Sequence, residues 1–295
     1  MRAVVVHEAG GPEVLRLEEV PDPQPGDGDV LVRVEAIGIN HVDLTMRAGG
    51  TGPPPKILGF DAAGLREDTG ERVLVTATPG TYAELVVAKE ENVYAIPDSL
   101  DAAAAAALGV PYSTSWWSIV DLGGLKEGDT LLVQGASTAT GQASVDIGLS
   151  LGAKVYATSR PEKLDKVRAL GAEALAYGDP KVREVEANVV FDPVGADTFS
   201  DSVEALAQAG TVVIPGAVGN PIVSFNIWTL LSKRGRIQGI GSRPPNRETI
   251  ERLIALAGEG KLKPVVDREL PLEQAADAHR AIEARETFGK VILRP

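Results

Sequence analysis

The sequence predicts an α/β protein in two parts, a parallel sheet wound on both faces by helices and a second part built almost wholly of strands. Three observations carry this. Short apolar runs alternate with helical segments from about residue 112 to 242, the first hundred residues alternate strands with turns, and residues 130–160 form a strand–turn–helix–strand unit of the kind that holds a dinucleotide. At 295 residues the chain is long for one core and comfortable for two domains.

In chain order, Met1–Glu8 reads as an edge strand without a cleavable signal pattern. Val30–Ala36 alternates apolar and polar residues after the turn Pro25–Asp29, and Arg72–Thr76 and Thr81–Ala88 are further strands. Residues 49–55 are a loop by composition. Asp98 or Ser99 caps a helix through Ala102–Ala107, which places the boundary between the parts near Gly109–Pro111. Six strands follow, Thr130–Gln134, Lys154–Thr158, Ala174–Tyr177, Val189–Asp192, Thr211–Ile214 and Arg236–Ile240, which match one doubly wound sheet. Helices Glu162–Leu170 and Thr198–Ala207 lie between them. The remainder carries amphipathic helices at Arg247–Glu259 and Leu272–Arg285. A last strand, Lys290–Leu293, has no parallel neighbour left and is expected to return to the first part. The expected domains are 1–108 with 243–295, and a Rossmann domain over 109–242.

The turn Gly135–Gly141 follows the first of the six strands, where a pyrophosphate would rest on the next helix's first N–H groups. Aligned on Gly141, a G-x-G-x-x-G pattern needs glycine at 136 and 138, and the chain has Ala136 and Thr138 there. Thr138 either clashes with a phosphate or donates a hydroxyl hydrogen bond to it. The turn by itself fits a generic strand–turn–helix equally well. Gln142–Leu151 carries both a strand-like alternation and a helical face, and the spacing to the next strand favours a helix.

The end of the second strand bears on the cofactor. NAD sites place an Asp or Glu there for the ribose 2′-hydroxyl, about 20 residues past the glycines. Here Ala157, Thr158 and Ser159 carry no charge, and Arg160 and Lys163 follow. A 2′-phosphate would find a hydroxyl, a guanidinium and an ammonium, which points to NADPH. The plain alternative is a helix start, with Arg160 before Pro161 at the first helical position.

Composition excludes several classes. Lys plus Arg is 29 and Asp plus Glu 41, a formal charge of −12, which argues against nucleic acid or an anionic membrane as the main partner. The absence of cysteine rules out disulfides, thiolate zinc sites and cysteine nucleophiles. The longest apolar stretch, Ala102–Val110, falls far short of a membrane span, so a cytoplasmic location is the default expectation.

Several stretches in register are similar to the medium-chain dehydrogenase/reductase superfamily. Gly38-Ile39-Asn40-His41-Val42-Asp43 with Met46–Gly49 resembles the Gly-x-Asn-x-x-Asp…Arg-x-Gly segment of quinone oxidoreductases. Leu58–Gly64 resembles the family's Pro-Gly-x-Glu-x-x-Gly, and Thr114-Ser115-Trp116 stands where a Thr-Ala-Trp helix start is usual. Asp192–Gly195, Gly210–Val213, Gly216 and Gly289-Lys290-Val291 follow in the expected order. The zinc alcohol dehydrogenases need a Cys and a His where this chain has Asn40 and Phe60, so the resemblance points to the zinc-free, zeta-crystallin-like quinone oxidoreductase branch.

That resemblance implies a Rossmann domain beside a β-rich GroES-like catalytic domain, and NADPH-dependent reduction of quinones or activated alkenes by direct hydride transfer. It implies cofactor binding by Asn40, Thr114, Ser137, Thr138, Ala139, Thr140, Ser159, Arg160, Lys163, Tyr177, Gly216 and Gly239. Asn40 is the candidate amide beside nicotinamide and substrate; its residue type equally suits holding a turn after Gly38. Arg47 is expected to pair with Asp43, and His41 to be solvated or packed. Thr45 replaces a Tyr found in many relatives, and Tyr112 is the candidate replacement as a catalytic phenol. No metal site is expected. The superfamily commonly dimerises through the last Rossmann strand, so the resemblance implies a homodimer through Arg236–Ile240, an edge of the kind that needs covering. Two rival readings remain: an enoyl-thioester reductase, which would need a basic groove, and a nucleotide-binding protein with little turnover.

Overall fold

A computed structural model of the chain describes residues 1–50, 52–53, 56–241 and 246–295. Thr51, Pro54 and Pro55 of the loop expected at 49–55, and the boundary expected at 242–243, lie outside the described residues. The chain divides into two compact units, 1–113 with 244–295, and 114–243.

The first unit opens with strands β1 (Arg2–Val5) and β2 (Arg16–Glu19), which pair antiparallel. In β3 (Asp29–Gly38) the alternation puts Val30, Val32, Val34 and Ala36 inside, the period-2 signature of a half-buried strand. The first hundred residues are not all strand, however. Helix α1 (His41–Arg47) follows β3, because the Asn40 backbone N–H donates to the Asp43 carboxylate at 2.8 Å and starts a helical turn. Then come β4 (Asp61–Arg66), β5 (Arg72–Val75), β6 (Leu85–Lys89) and β7 (Val93–Ala95). Helix α2 (Ala102–Trp116) is capped by Asp101, whose carboxylate accepts from Ala104 N–H at 2.8 Å, and not by Asp98 or Ser99. Ser99 donates to the Gly258 carbonyl instead.

The second unit is the expected doubly wound sheet. Its strands are β8 (Thr130–Val133), β9 (Lys154–Ser159), β10 (Glu173–Ala176), β11 (Ala187–Phe191), β12 (Leu206–Ile214) and β13 (Arg236–Gly239), all parallel, in the spatial order β10-β9-β8-β11-β12-β13. This is the 3-2-1-4-5-6 order of a Rossmann fold, whose ligands bind beyond the carboxyl ends of the strands. Helices α3 (Ala139–Ser150), α4 (Leu164–Ala169), α5 (Ala196–Glu204) and α6 (Ile227–Lys233) connect them. The ambiguous segment after Gly141 is thus a helix. The helix expected over Thr198–Ala207 ends at Glu204, since Leu206 already pairs with Ala187 in the sheet. Leu132, Val190, Phe199, Leu206 and Val212 share one core.

The chain then returns to the first unit with α7 (Arg247–Gly258), β14 (Val266–Pro271), α8 (Ala275–Glu283) and β15 (Lys290–Arg294). As expected, β15 pairs antiparallel with β3, Ile292 opposite Gly38. It also has a parallel neighbour that the sequence reading lacks, β14, whose Asp267, Arg268 and Glu269 hide a strand with no apolar run. The resulting sheet runs β14-β15-β3-β4-β5-β7, with β6 on β3. Its core includes Val32, Ile37, Leu58, Val75, Tyr82, Leu272 and Val291.

Gly141 is the residue that lets α3 leave β8 so sharply. A Cβ there would overlap the Gly135 carbonyl oxygen and come 2.9 Å from Ala136 Cα, backbone atoms that cannot yield. We expect Gly141→Ala to cost about 1–3 kcal/mol of unfolding free energy, as overpacking does. Gly216→Ala, whose Cβ would meet nothing within 4 Å, should be close to neutral. Denaturant unfolding of both variants checks the contrast.

Candidate nucleotide turn and buried polar network

In the second unit the carboxyl ends of β8, β9 and β11 are tied by buried polar groups. Thr158 Oγ1 donates to Gln134 Oε1 at 2.5 Å, Gln134 Nε2 donates to Ser202 Oγ at 3.1 Å, and Ser202 donates to Asp192 Oδ2 at 2.7 Å. Asp192 also accepts from Thr198 Oγ1 and from Val194 N–H, and its burial pushes the carboxyl above the usual range. This frame holds the turn at Gly135, whose N–H donates to Thr158 Oγ1 at 3.3 Å while Ala136 N–H donates to the Thr158 carbonyl.

The Thr138 hydroxyl is turned inward. It is the N-cap of α3: Oγ1 accepts from Gly141 N–H at 3.0 Å and donates to the Gly135 carbonyl at 2.9 Å. Gln142 N–H goes to the Thr138 carbonyl, which leaves Ala139 and Thr140 N–H as the open donors of the first turn. Ser115 Oγ donates to the Thr140 carbonyl at 2.9 Å, so the segment that carries Thr114 adjoins the turn.

At the end of β9, Ser159 is fully buried and its hydroxyl has no hydrogen-bond partner. Its carbonyl accepts from Tyr177 N–H at 3.1 Å. Arg160 is half-buried, Lys163 is buried, and Tyr177 is exposed with its phenol oxygen 3.6 Å from where a Gly135 Cβ would lie. Ser137, Thr138, Ala139, Thr140, Ser159 and Tyr177 therefore share one end of the sheet. Gly216 is exposed just past β12, and Gly239 ends the outermost strand, β13, three strands from β8.

In the first unit, Asn40 is 6% exposed and Tyr112 is 3% exposed. The Asn40 amide does not cap α1. Its nitrogen donates to Asp61 Oδ2 at 2.8 Å and to the Gly38 carbonyl at 3.3 Å, and its oxygen accepts from Lys290 Nζ at 2.6 Å. Lys290 reaches Asp61 at 3.3 Å, and both side chains are sealed from water. Burial lowers the Lys290 ammonium below its usual range, against the pull of Asp61. Asp61 further accepts from Thr76 Oγ1 at 2.7 Å and from Val110 N–H at 3.0 Å. The Val110 bond exists because α2 breaks at Gly109, where a Cβ would lie 2.6 Å from the Asp61 carboxyl carbon.

A second chain of buried bonds leaves Asp43. Arg47 pairs with Glu283, not with Asp43 as expected, and its other nitrogen donates to His279 Nδ1 at 3.0 Å. Burial and Arg47 bring the His279 pKa down to about 3, so the ring is neutral and carries its proton on Nε2. That nitrogen meets the Tyr82 hydroxyl at 3.0 Å, and Tyr82 donates to Asp43 Oδ2 at 3.1 Å. Asp43 is occupied by Tyr82 and the Asn40 backbone, so Arg47 turns to the α8 carboxylate. His41, expected to be solvated or packed, is exposed and takes no part in the chain. Sequence reasoning missed Lys290, Asp61, Tyr82 and His279 as a group. The available signals were the Asn-x-x-Asp spacing that starts α1 and the motif resemblances that contain Asp61 and Lys290.

Two family profiles match, an alcohol dehydrogenase GroES-like domain over residues 26–98 and a zinc-binding dehydrogenase over residues 170–293. The chain is also 32% identical to the quinone oxidoreductase of Lama guanicoe, over 99% of this chain and 97% of that protein. The chain belongs to the medium-chain dehydrogenase/reductase superfamily. Among solved structures of this oxidoreductase superfamily, an NAD-dependent alcohol dehydrogenase matches at 32% identity with a TM-score of 0.93, over 100% of both chains. A mycobacterial protein solved with NADPH matches at 29% identity with a TM-score of 0.89, again over 100% of both chains.

The superfamily's zinc does not fit the residues present. Asn40 and Phe60 stand at two ligand positions, the Asn40 amide is spent on Asp61, Gly38 and Lys290, and the sequence has no thiol. No described helix is long and apolar enough to cross a membrane.

Burial raises the Asp43 carboxyl to about 7 from an ordinary value of 3.8. The folded chain therefore keeps a proton there that the unfolded chain releases, and this contribution to stability is full below 3.8 and lost as the pH rises through 7. Asp43→Asn can still accept from Asn40 N–H and Tyr82. It should gain at least about 1 kcal/mol on the wild type between pH 5 and 7.5 in denaturant unfolding.

Proposed function

We propose that this protein is an NADPH-dependent reductase of quinones or activated alkenes that works without zinc. The observation that carries the reading is the end of β9. Ser159 holds an unpaired buried hydroxyl there, Ala157, Thr158 and Ser159 carry no charge, and Arg160 and Lys163 follow. A buried hydroxyl without a partner costs free energy unless a ligand supplies one, and an anionic 2′-phosphate is such a ligand. Tyr177 would close that pocket from the end of β10. Ala139 and Thr140 N–H, at the positive end of α3, would hold the diphosphate. Thr114, Ser137, Gly216 and Gly239 complete the proposed cofactor set.

Thr138 bears on the little-turnover alternative. It replaces a fingerprint glycine by an N-cap hydroxyl and leaves the helix start intact, so the altered fingerprint is no reason to expect weak binding. When bound, NADPH supplies a hydride. Asn40 would orient the nicotinamide, and the negative charge that develops on a quinone or enone is delocalised, so it can be met by hydrogen bonds and a proton from Tyr112 or water. The quinone oxidoreductase relatives support the substrate class, and the neighbour described as NAD-dependent makes NADH the necessary control.

Following nicotinamide absorbance with an ortho-quinone, a para-quinone and a 2-alkenal tests this reading. NADPH turnover well above NADH turnover is expected; equal use of both would sink the phosphate site. Ser159→Ala removes an unpaired hydroxyl, so stability should hold while KM for NADPH rises roughly five- to tenfold and KM for NADH stays put.

We further propose a homodimer built on the edge of β13. All four residues of that strand are exposed, and one of its edges has no partner among the described residues. Beside it in sequence, Ile222, Ile227, Trp228 and Leu231 are 79%, 52%, 74% and 56% exposed, an apolar display that a second copy would cover. Light scattering at micromolar concentration should give twice the 30.9 kDa chain mass, and Trp228→Glu should give the single mass.

A further inference from the structure

Within the second unit, Tyr177 is rooted at one strand and ends beside another. It follows Ala176, the last residue of β10, and its phenol oxygen lies 3.6 Å from where a Gly135 Cβ would stand, in the turn after β8. Between those two strands runs β9. Ala176 pairs with Ser159 and Ala157 with Val133, so Ala176, Ser159 and Gly135 stand level across the three strand ends. Neighbouring strands are about 4.8 Å apart, so the side chain spans a double spacing and its ring crosses the end of β9 just beyond Ser159.

In a doubly wound sheet that place belongs to the nucleotide. The diphosphate goes to the first turn of the helix after the first strand, and the ribose is met at the end of the second strand. A ring that crosses from β10 to Gly135 lies between those two points. The Ser159 hydroxyl leads to the same conclusion independently. It is fully buried, so a phosphate reaches it only after a side chain withdraws. Lys163 is buried, whereas Tyr177 is 37% exposed and has solvent to move into. The Tyr177 backbone is fixed, its N–H donating to the Ser159 carbonyl at 3.1 Å, so a turn about the Cα–Cβ bond moves the ring and leaves the sheet undisturbed.

We propose that Tyr177 is a gate on the nucleotide site: its ring covers the place of the ribose and 2′-phosphate and swings outward to admit them. This rests on the cofactor reading above and adds to it the side chain that controls entry. What the ring obstructs is the ribose, which NADPH and NADH share, so it slows both. Ser159 and Arg160 can tell the two apart only once the ring has moved. A site that is open for a fraction of the time binds its ligand as if weakened by that fraction.

Stopped-flow fluorescence of the reduced nicotinamide gives kon and koff for NADPH and for NADH. Tyr177→Ala should raise kon roughly three- to tenfold for both nucleotides, because the open fraction becomes one. Tyr177→Phe keeps the ring and should bind more slowly than the alanine variant. A tyrosine that did no more than touch the phosphate would change koff, for NADPH alone, and leave kon where it was. That pattern overturns the gate while the cofactor reading stands, and so does a Tyr177→Phe as fast as Tyr177→Ala. The residue is exposed at a strand end, so both variants should melt within a few degrees of the wild type, and Tyr177→Ser gives the same comparison should the alanine variant not fold. A wild type that binds neither nucleotide overturns the cofactor reading and the gate together.

Discussion

The first unit depends on one buried ion pair. Asp61 and Lys290 are sealed from water on β4 and β15, and separating either from its partner would strand a charge in the core. Such a pair is rarely a gain in stability over apolar residues of the same volume. Its value lies in what it directs: Asp61 catches the Val110 N–H freed by the break in α2, and together the two charges orient Asn40. Asp43, Tyr82, His279, Arg47 and Glu283 then tie α1 to α8. A helix break and an amide orientation both follow from the placement of two charges, while the start of α1 is set by Asp43.

The second unit meets a different constraint, the sharp departure of a helix from a strand. The usual answer is several glycines. This chain keeps Gly135, at positive φ, and Gly141, which the Gly135 carbonyl demands, and gives a fingerprint glycine's place to Thr138, which caps the helix that glycine would merely have permitted. The first turn's remaining donors stay open. Conformational freedom has been exchanged for a specific bond, with the same N-terminus as the outcome.

The middle of the sheet in the second unit was legible because β8, β11 and the second half of β12 are buried and read as runs of Val, Leu and Ile. The helix after Gly141 was less so, since its apolar residues also fit a strand period. Helix α1 was hidden by its brevity, and β14 by its charged, half-exposed face. The buried network was illegible for a physical reason. Arg47 and His279 lie 232 positions apart, and Lys290 and Asn40 lie 250 apart. A polar residue gives no sign in sequence of whether it will be solvated or sealed. Motif similarity brought Asn40, Asp43, Asp61 and Lys290 onto one page, and only the fold shows that they touch.

The interruption of the first unit by the second has a consequence for synthesis on the ribosome. Residues 114–243 are contiguous and can fold as soon as they emerge. The sheet of the first unit lacks β14 and β15 until that whole intervening segment has been translated, and through all that time Asp61 has no lysine and Arg47 has no glutamate. The nascent first unit is therefore a half-built sheet with an uncompensated acid in its interior and the β3 edge open. Its closure is tied to the arrival of one late strand, so a ribosome that stalls after residue 243 would present to chaperones a folded second unit attached to a first unit that cannot yet close.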